Sequence, residues 1–428
     1  MSDQTNLTNF SCDKKAWPVY ITIGNLPSAR RTSPGSMAVL PLALLPIPPK
    51  LSKSDKADEC QRKINANTLQ DVFELIFAPL QDVAHTGIAI DCAESQVPMC
   101  FPILSAWITD HIETMALHRL KTNACPKCEV PIHELGTNAR SHRTRDYPRY
   151  QRYKPENWNS GAESDDDHIR CDNLGFDQNI FDRLNRVSAS DLYKPDMIHT
   201  IYLRLFKHMM DWIKEFLKKH AQLQAFDDVW KALPLYPGFL VPKKAYREVT
   251  QWQVKEMRNQ RHCILGVLAV ALHQPGGAQV INFKRALGCV RALIHFNMMA
   301  QYRSHTSDTI VYMEGDLDQF HKLKDIFLEF RVTKRTQDKV DKQRKKIQHQ
   351  RALVIEPVAP SLRRRMRDDN CQEESDHWLD LVPGESHFNF IKMHLLSHFC
   401  DHIRKFGNIL MYSMEIGELA HKTQIKDG

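Results

Sequence analysis

The period of apolar and polar positions changes several times along the chain, and each change predicts an element. Trp17–Gly24 alternates β-branched and aromatic residues and predicts a strand. Ala38–Leu45 predicts a second strand, closed by Pro46, Pro48 and Pro49. Leu69, Val72, Phe73, Ile76 and Phe77 recur at helical spacing, and Pro79 is expected to stop that helix. Gly87–Asp91 and Pro102–Thr109 read as further strands. Strands, then a helix, then strands again suit an α/β layered core.

The second half reads differently. From Met197 to Leu217 the apolar residues Ile198, Ile201, Tyr202, Leu205, Phe206, Met209, Ile213 and Phe216 keep a helical period. Further helices fit Thr250–His273, Asn282–Tyr302 and Thr309–Arg331. Between the two halves, Thr137–Asp172 is rich in Arg, Tyr, Asn and Asp, and is expected to be a long surface insertion or a partly disordered loop.

Composition narrows the class. A chain of 428 residues with 42% hydrophobic positions can build roughly two to three domain equivalents around a sizeable core. The longest apolar run, Met37–Pro49, contains four prolines and falls short of the roughly 18 residues of a spanning helix. No membrane segment is expected. The first fifteen residues are polar and give no secretory signal, so the 11 cysteines are expected to be reduced. The net charge of +7 fits a nucleic-acid binder and an ordinary soluble protein equally well.

Charge distribution says more. Arg331–Arg367 holds thirteen basic residues against three acidic ones, a block that attracts DNA or serves as a nuclear-import tract. Arg140, Arg143, Arg145, Arg149, Arg152 and Lys154 interleave with Tyr147, Tyr150, Tyr153 and Trp158. Cations there would neutralise phosphates while aromatic faces stack on unpaired bases. The bland reading of both stretches is solvated linker or loop.

Two constellations carry candidate chemistry. Cys125-Pro126-Lys127-Cys128 has the spacing of a zinc half-site, and its completing ligands stay open among His118, His133, His168 and Cys171. A reduced turn with two buried thiols is the plain alternative. His387, His394, His398, His402 and His421 crowd the C-terminal part. Without an HExxH pattern they are expected to be packing histidines.

The second constellation is acidic. Asp3 stands in Ser2-Asp3-Gln4-Thr5, ahead of Trp17-Pro18-Val19-Tyr20. Asp196 stands in Pro195-Asp196-Met197-Ile198-His199, and Glu418 in Glu415-Ile416-Gly417-Glu418-Leu419-Ala420-His421. Taken with Cys125–Pro131, Glu134-Leu135-Gly136, His387-Phe388-Asn389-Phe390 and Lys392–Phe399, these ordered words resemble the fungal Plavaka family of DNA transposases, relatives of the KDZ group.

The resemblance implies an RNase-H-like mixed-sheet core interrupted by a CxxC-containing insertion and a large all-α insertion. It divides the chain at 1–120, 121–185, 186–220, 221–385 and 386–428, with the basic linker 331–367 in the helical part. It implies that Asp3, Asp196 and Glu418 meet in one pocket and hold two Mg²⁺ ions, the arrangement that cleaves and joins DNA strands. Transposon ends and target DNA are the implied partners, the nucleus is the implied compartment, and a homo-oligomer is compatible with both.

Alternatives remain at each position. Asp91 and Asp110 follow strand-like segments, and Glu415 lies one turn from Glu418. Asp196 also has the context of a helix N-cap. Only Met1 and Ser2 precede Asp3, so the chain is expected to be truncated at both ends, with an untethered Asp3 and no activity. A non-catalytic DNA-binding or interaction protein descended from a transposase is the alternative from another class.

Overall fold

A computed structural model describes residues 1–7, 15–47, 56–138, 140, 142–145, 180–184, 187–234, 237–239, 254–273, 280–328 and 388–426. The basic block 331–367, His387, His168, Cys171, and the aromatic positions Tyr147 to Trp158 lie outside these residues. The chain forms two units. The first comprises Met1–Leu205, Phe296–Glu314 and Ile391–Gly428, and the second Phe206–His295 and Gly315–Phe390.

In the first unit, Pro18–Thr22 pairs antiparallel with Val39–Leu44. The register slips between Val19 and Tyr20, where Pro41 faces Tyr20. A proline has no N–H to give a ladder, so it sits at an irregularity. Ser2 then bridges Val19, and its N–H donates to Ile108 O at 3.2 Å. Trp107 in turn makes a parallel bridge to Tyr193. Backbone pairing thus steps from the hairpin through the chain start to the segments before Asp110 and Asp196.

These steps are isolated bridges. Among the described residues the ladders are three two-stranded antiparallel sheets, so the architecture is mixed α/β, mainly helical. The expected strand over Pro102–Thr109 contributes only the Trp107 bridge. The expected strand at Gly87–Asp91 shortens to Ile88–Ala89, paired with Met99–Cys100.

The helix Lys56–Thr86 continues beyond Pro79 rather than stopping there. Proline deletes one N–H bond and crowds the carbonyl of the residue four back, here on the exposed Leu75. Apolar burial continues past it at Ala84, and this outweighs the local cost. Phe73 and Phe77 of that helix meet the Trp107 ring edge-on at 5.1 and 5.5 Å, with Phe181 packed alongside. Buried Gln70 accepts from Ile180 N at 2.8 Å and donates to Leu117 O at 3.2 Å, which ties the helix to the segments beside it.

The second unit is helical, as the periodicity predicts. Val254–Leu272, most of Val280–Met299 and most of Ser307–Leu323 match the expected spans. Its core gathers Phe216, Phe226, Trp230, Phe320 and Phe327, with Phe388 edge-on to Trp212 at 4.8 Å. No helix of the described residues is long and apolar enough to cross a membrane.

Candidate metal centre and acidic pocket

Both sites lie in the first unit. The Cys125–Cys128 turn is buried, and two backbone N–H groups, of Lys127 and Cys128, point at Cys125 Sγ at 3.4 Å. The chain then runs out and returns, so that Arg145 N donates to Lys127 O and Thr144 bridges Cys128. Arg145 is itself buried. Its Nε donates to Cys125 O at 2.8 Å and its Nη2 to Cys128 O at 3.0 Å. The guanidinium therefore fixes the turn, and Arg145 belongs to this fold rather than to a DNA-facing patch. Arg140, from the same stretch, donates to Glu314 O at 3.0 Å.

The partners of the turn come from about 270 positions away. His398 Nε2 lies 3.2 Å from Cys125 Sγ, His394 Nε2 lies 3.1 Å from Cys128 Sγ, and the two imidazole nitrogens are 3.1 Å apart. All four ligand atoms fall within 4.8 Å of one another, and all four residues are buried. A tetrahedral zinc with bonds of about 2.0–2.3 Å has ligand-to-ligand edges of about 3.3–3.8 Å. This buried Cys2His2 group is therefore able to bind a metal such as zinc.

The completing ligands differ from those expected. His118 packs on Phe181 at 5.2 Å, and His133 is exposed beside Glu134. His394 and His398 leave the class of packing histidines, while His402 stays in it, between Phe406 and Tyr412. Their i, i+4 spacing was the available signal. Nothing local in the sequence links it to the CxxC turn.

Electrostatics suits metal uptake. Burial disfavours the Cys125 thiolate. The Cys128 thiol and the nearby His398 and His394 outweigh that and hold it well below the ordinary thiol range. Cys128 is raised, because it donates to Cys125 and is buried. Burial keeps His394 neutral, the form that ligates a metal. Val130, Leu135, Tyr193, Ile391 and Leu395 pack around the group and exclude water.

The acidic pocket starts at the N-terminus. Met1 amine donates to Tyr20 O at 2.9 Å, Tyr20 N to Met1 O at 2.7 Å, and Trp107 Nε1 to Ser2 Oγ at 2.9 Å. Ser2 Oγ also donates to Glu113. Asp3 therefore follows an anchored backbone, contrary to the expectation of an untethered end. Its Oδ2 lies 3.4 Å from His421 Nε2, and His421 Nδ1 lies 3.0 Å from Tyr20 Oη.

Asp196 ends the segment that pairs with Trp107. Its Oδ2 accepts from His199 N at 2.6 Å and approaches His199 Nδ1 at 2.8 Å, as an N-cap of the helical run Met197–Phe206. Its Oδ1 is buried without a hydrogen-bond partner. Burial alone would raise Asp196, but the bonds from His199 and the charge of Lys392 lower it. Glu418, like Glu415 exposed on the helix Glu415–Ala420, is raised by partial desolvation and by the negative fields of Asp196 and Asp3. The chain start, Asp196 and the C-terminal helix thus share one electrostatic neighbourhood.

The alternative acids occupy other roles. Asp110 caps the helix His111–His118 by accepting from Glu113 N at 2.7 Å, and its charge reaches His199 and Lys392. Asp91 is exposed near the tip of the Ile88–Cys100 hairpin, and Glu415 is exposed at the start of its helix. Lys392, two residues before His394, is the group that sequence reading missed. It is lowered to about 8 by burial, and Asp196 and Asp110 oppose that shift.

The search of curated proteins gives no match. A family model does match: that of the Plavaka transposase, over residues 1–213. The matched segment contains Asp3, the CxxC turn and Asp196, whereas His394, His398 and Glu418 lie beyond it. Over residues 1–213 this chain belongs to the Plavaka transposase family.

Proposed function

We propose that this chain is a DNA strand-cleaving and strand-joining protein of RNase-H-like descent, whose acidic pocket is Asp3, Asp196 and Glu418. The observation that carries the reading is the buried Oδ1 of Asp196, which has no hydrogen-bond partner, together with a Glu418 carboxyl raised by the charges of both Asp196 and Asp3. A buried carboxylate oxygen without a hydrogen-bond donor is costly unless a cation meets it. The donor set, carboxylate oxygens, fits Mg²⁺. Two such ions, when bound, would activate the attacking hydroxyl and stabilise the leaving oxygen.

The residues of the chain supply the rest. His199 grips one Asp196 oxygen and leaves the other without a donor. Tyr20 orients His421 against Asp3. Anchoring of Met1 and Ser2 supports an active rather than an inert Asp3. DNA as substrate implies nuclear action and a homo-oligomer that holds two transposon ends. Zinc at Cys125, Cys128, His394 and His398 serves structure, because four protein ligands leave no open position.

The test is nicking of supercoiled plasmid with Mg²⁺ or Mn²⁺ by the full chain. Metal-dependent nicking is expected, with a loss of at least about 100-fold in Asp196→Asn and in Glu418→Gln. DNA binding without nicking, and without metal binding that depends on Asp196, would leave the non-catalytic, transposase-derived reading in its place.

A further inference from the structure

A second charged cluster lies in the same unit, outside the acidic pocket. Lys194 is only 4% exposed, and its Nζ is buried without a hydrogen-bond partner. The ammonium sits 3.2 Å from the centre of the Phe406 ring and 5.1 Å from that of Tyr412. Lys127, also buried, points at the same Phe406 ring from 5.7 Å. Lys127 Nζ and Lys405 Nζ both approach Asp191 Oδ1, at 3.4 and 3.3 Å. Lys127 and Lys405 therefore share one carboxylate oxygen, while Lys194 is left to the ring faces. The Lys405 and Asp191 side chains are 54% and 33% exposed, so the cluster opens to solvent on that side.

Such an arrangement favours an anion, because burial lowers Lys194 to about 7 and a phosphate beside it would restore the charge. A buried ammonium is expensive without a full partner, and ring faces compensate only in part. Lysine ammonium groups act as point charges towards phosphate oxygens. Chain connectivity sets which phosphate is meant. Lys127 lies inside the Cys125–Cys128 turn, and Lys194 lies two residues before Asp196. Two extended residues span about 7 Å, about two nucleotide steps along one DNA strand.

We propose that Lys127, Lys194 and Lys405 form a phosphodiester-binding site that seats a DNA backbone phosphate beside Asp196. The choice of DNA over another phosphate source rests on the function proposed above; the charge surplus does not. Asp191 bridges Lys127 and Lys405 and is displaced from one of them when the phosphate enters. The rings of Phe406 and Tyr412 hold the Lys194 ammonium beside the partly exposed Lys405–Asp191 pair.

The test is fluorescence anisotropy of a labelled duplex with the full chain, between about 50 and 200 mM salt. Wild type is compared with Lys194→Met, which keeps the buried volume, and Lys405→Gln, whose exposed position cannot disturb a core. Each substitution is expected to weaken binding by about tenfold at low salt and to make the log–log salt slope shallower by about one. Unchanged affinity and slope in both variants overturn the site while leaving the transposase reading intact. No DNA binding by wild type at low salt overturns both. Thermal stabilisation by inorganic phosphate that vanishes in Lys194→Met, with DNA binding unaffected, reassigns the site to free phosphate and overturns the DNA assignment.

Discussion

At the scale of single residues, burial sets the behaviour of the titrating groups. Glu113 is the clearest case. It is buried beside the anchored N-terminus, accepts from Ser2 Oγ, and is pushed up to about 7 by burial. Its folded value therefore stands above its ordinary 4.5. The protonated form supports the fold, fully below about pH 4.5, and that support is lost as pH rises towards about 7. The Met1 amine, lowered to about 5 by burial, acts in the opposite sense: its support is complete above about pH 8 and is lost as pH falls towards 5. The two partly cancel in the native protein. Glu113→Gln keeps a hydrogen-bonding group without the charge. Its stability gain over wild type is expected to grow from about zero at pH 4.5 to on the order of 3 kcal/mol above pH 7, read from denaturant midpoints across that range. A pH-independent difference between the two proteins would refute this account.

At the scale of elements, local pattern and tertiary demand agree in some places and conflict in others. The hairpin Pro18–Thr22 with Val39–Leu44 forms where alternation predicts it, and the helices from Val254 to Leu323 follow their apolar period. Pro79 is the conflict, since the long helix passes through it. That helix ends instead at Thr86, where Gly87 turns with φ +80 and its N–H returns to Val83 O at 2.9 Å. A Cβ on Gly87 would lie 2.8 Å from the Met99 side chain and 2.9 Å from the Phe101 ring. Gly87→Ala is expected to cost about 1–2 kcal/mol, through left-handed backbone and contact together, measured by thermal unfolding. A loss below a few tenths of a kcal/mol would mean the turn rearranges freely.

At the scale of the whole chain, segments far apart in sequence share each site. Arg31 Nη1 donates to Met411 O, Tyr20 meets His421, and Gln424 Nε2 donates to Val39 O, so the C-terminal segment packs on the first strands. A metal held by the Cys2His2 group would link positions 125–128 with 394–398. The segment carrying His394 also carries Lys392 and leads on to Glu418. Purified protein is expected to contain one zinc per chain by elemental analysis. Its chelation should lower the melting temperature and abolish metal-dependent nicking, even when Mg²⁺ is restored in excess. Cys128→Ser should do the same, whereas a full retention of stability after complete zinc removal would show that packing alone closes the site.

What the sequence by itself determined was everything short-range or carried by ordered words. Periodicity gave the hairpin and the helices, because side-chain direction repeats every two or 3.6 residues. The family words gave the CxxC turn and the kinship, over the segment that the family model matches, and named Asp3 and Asp196 as candidates. That His394 and His398 complete the Cys2His2 group was decided only by tertiary structure. So were the anchoring of Asp3, the role of Arg145 beneath the turn, and the gathering of Lys127, Lys194 and Lys405. The physical reason is common to all of them. Burial and ligand geometry depend on which distant segments meet in space, and neither composition nor spacing along the chain encodes that meeting directly.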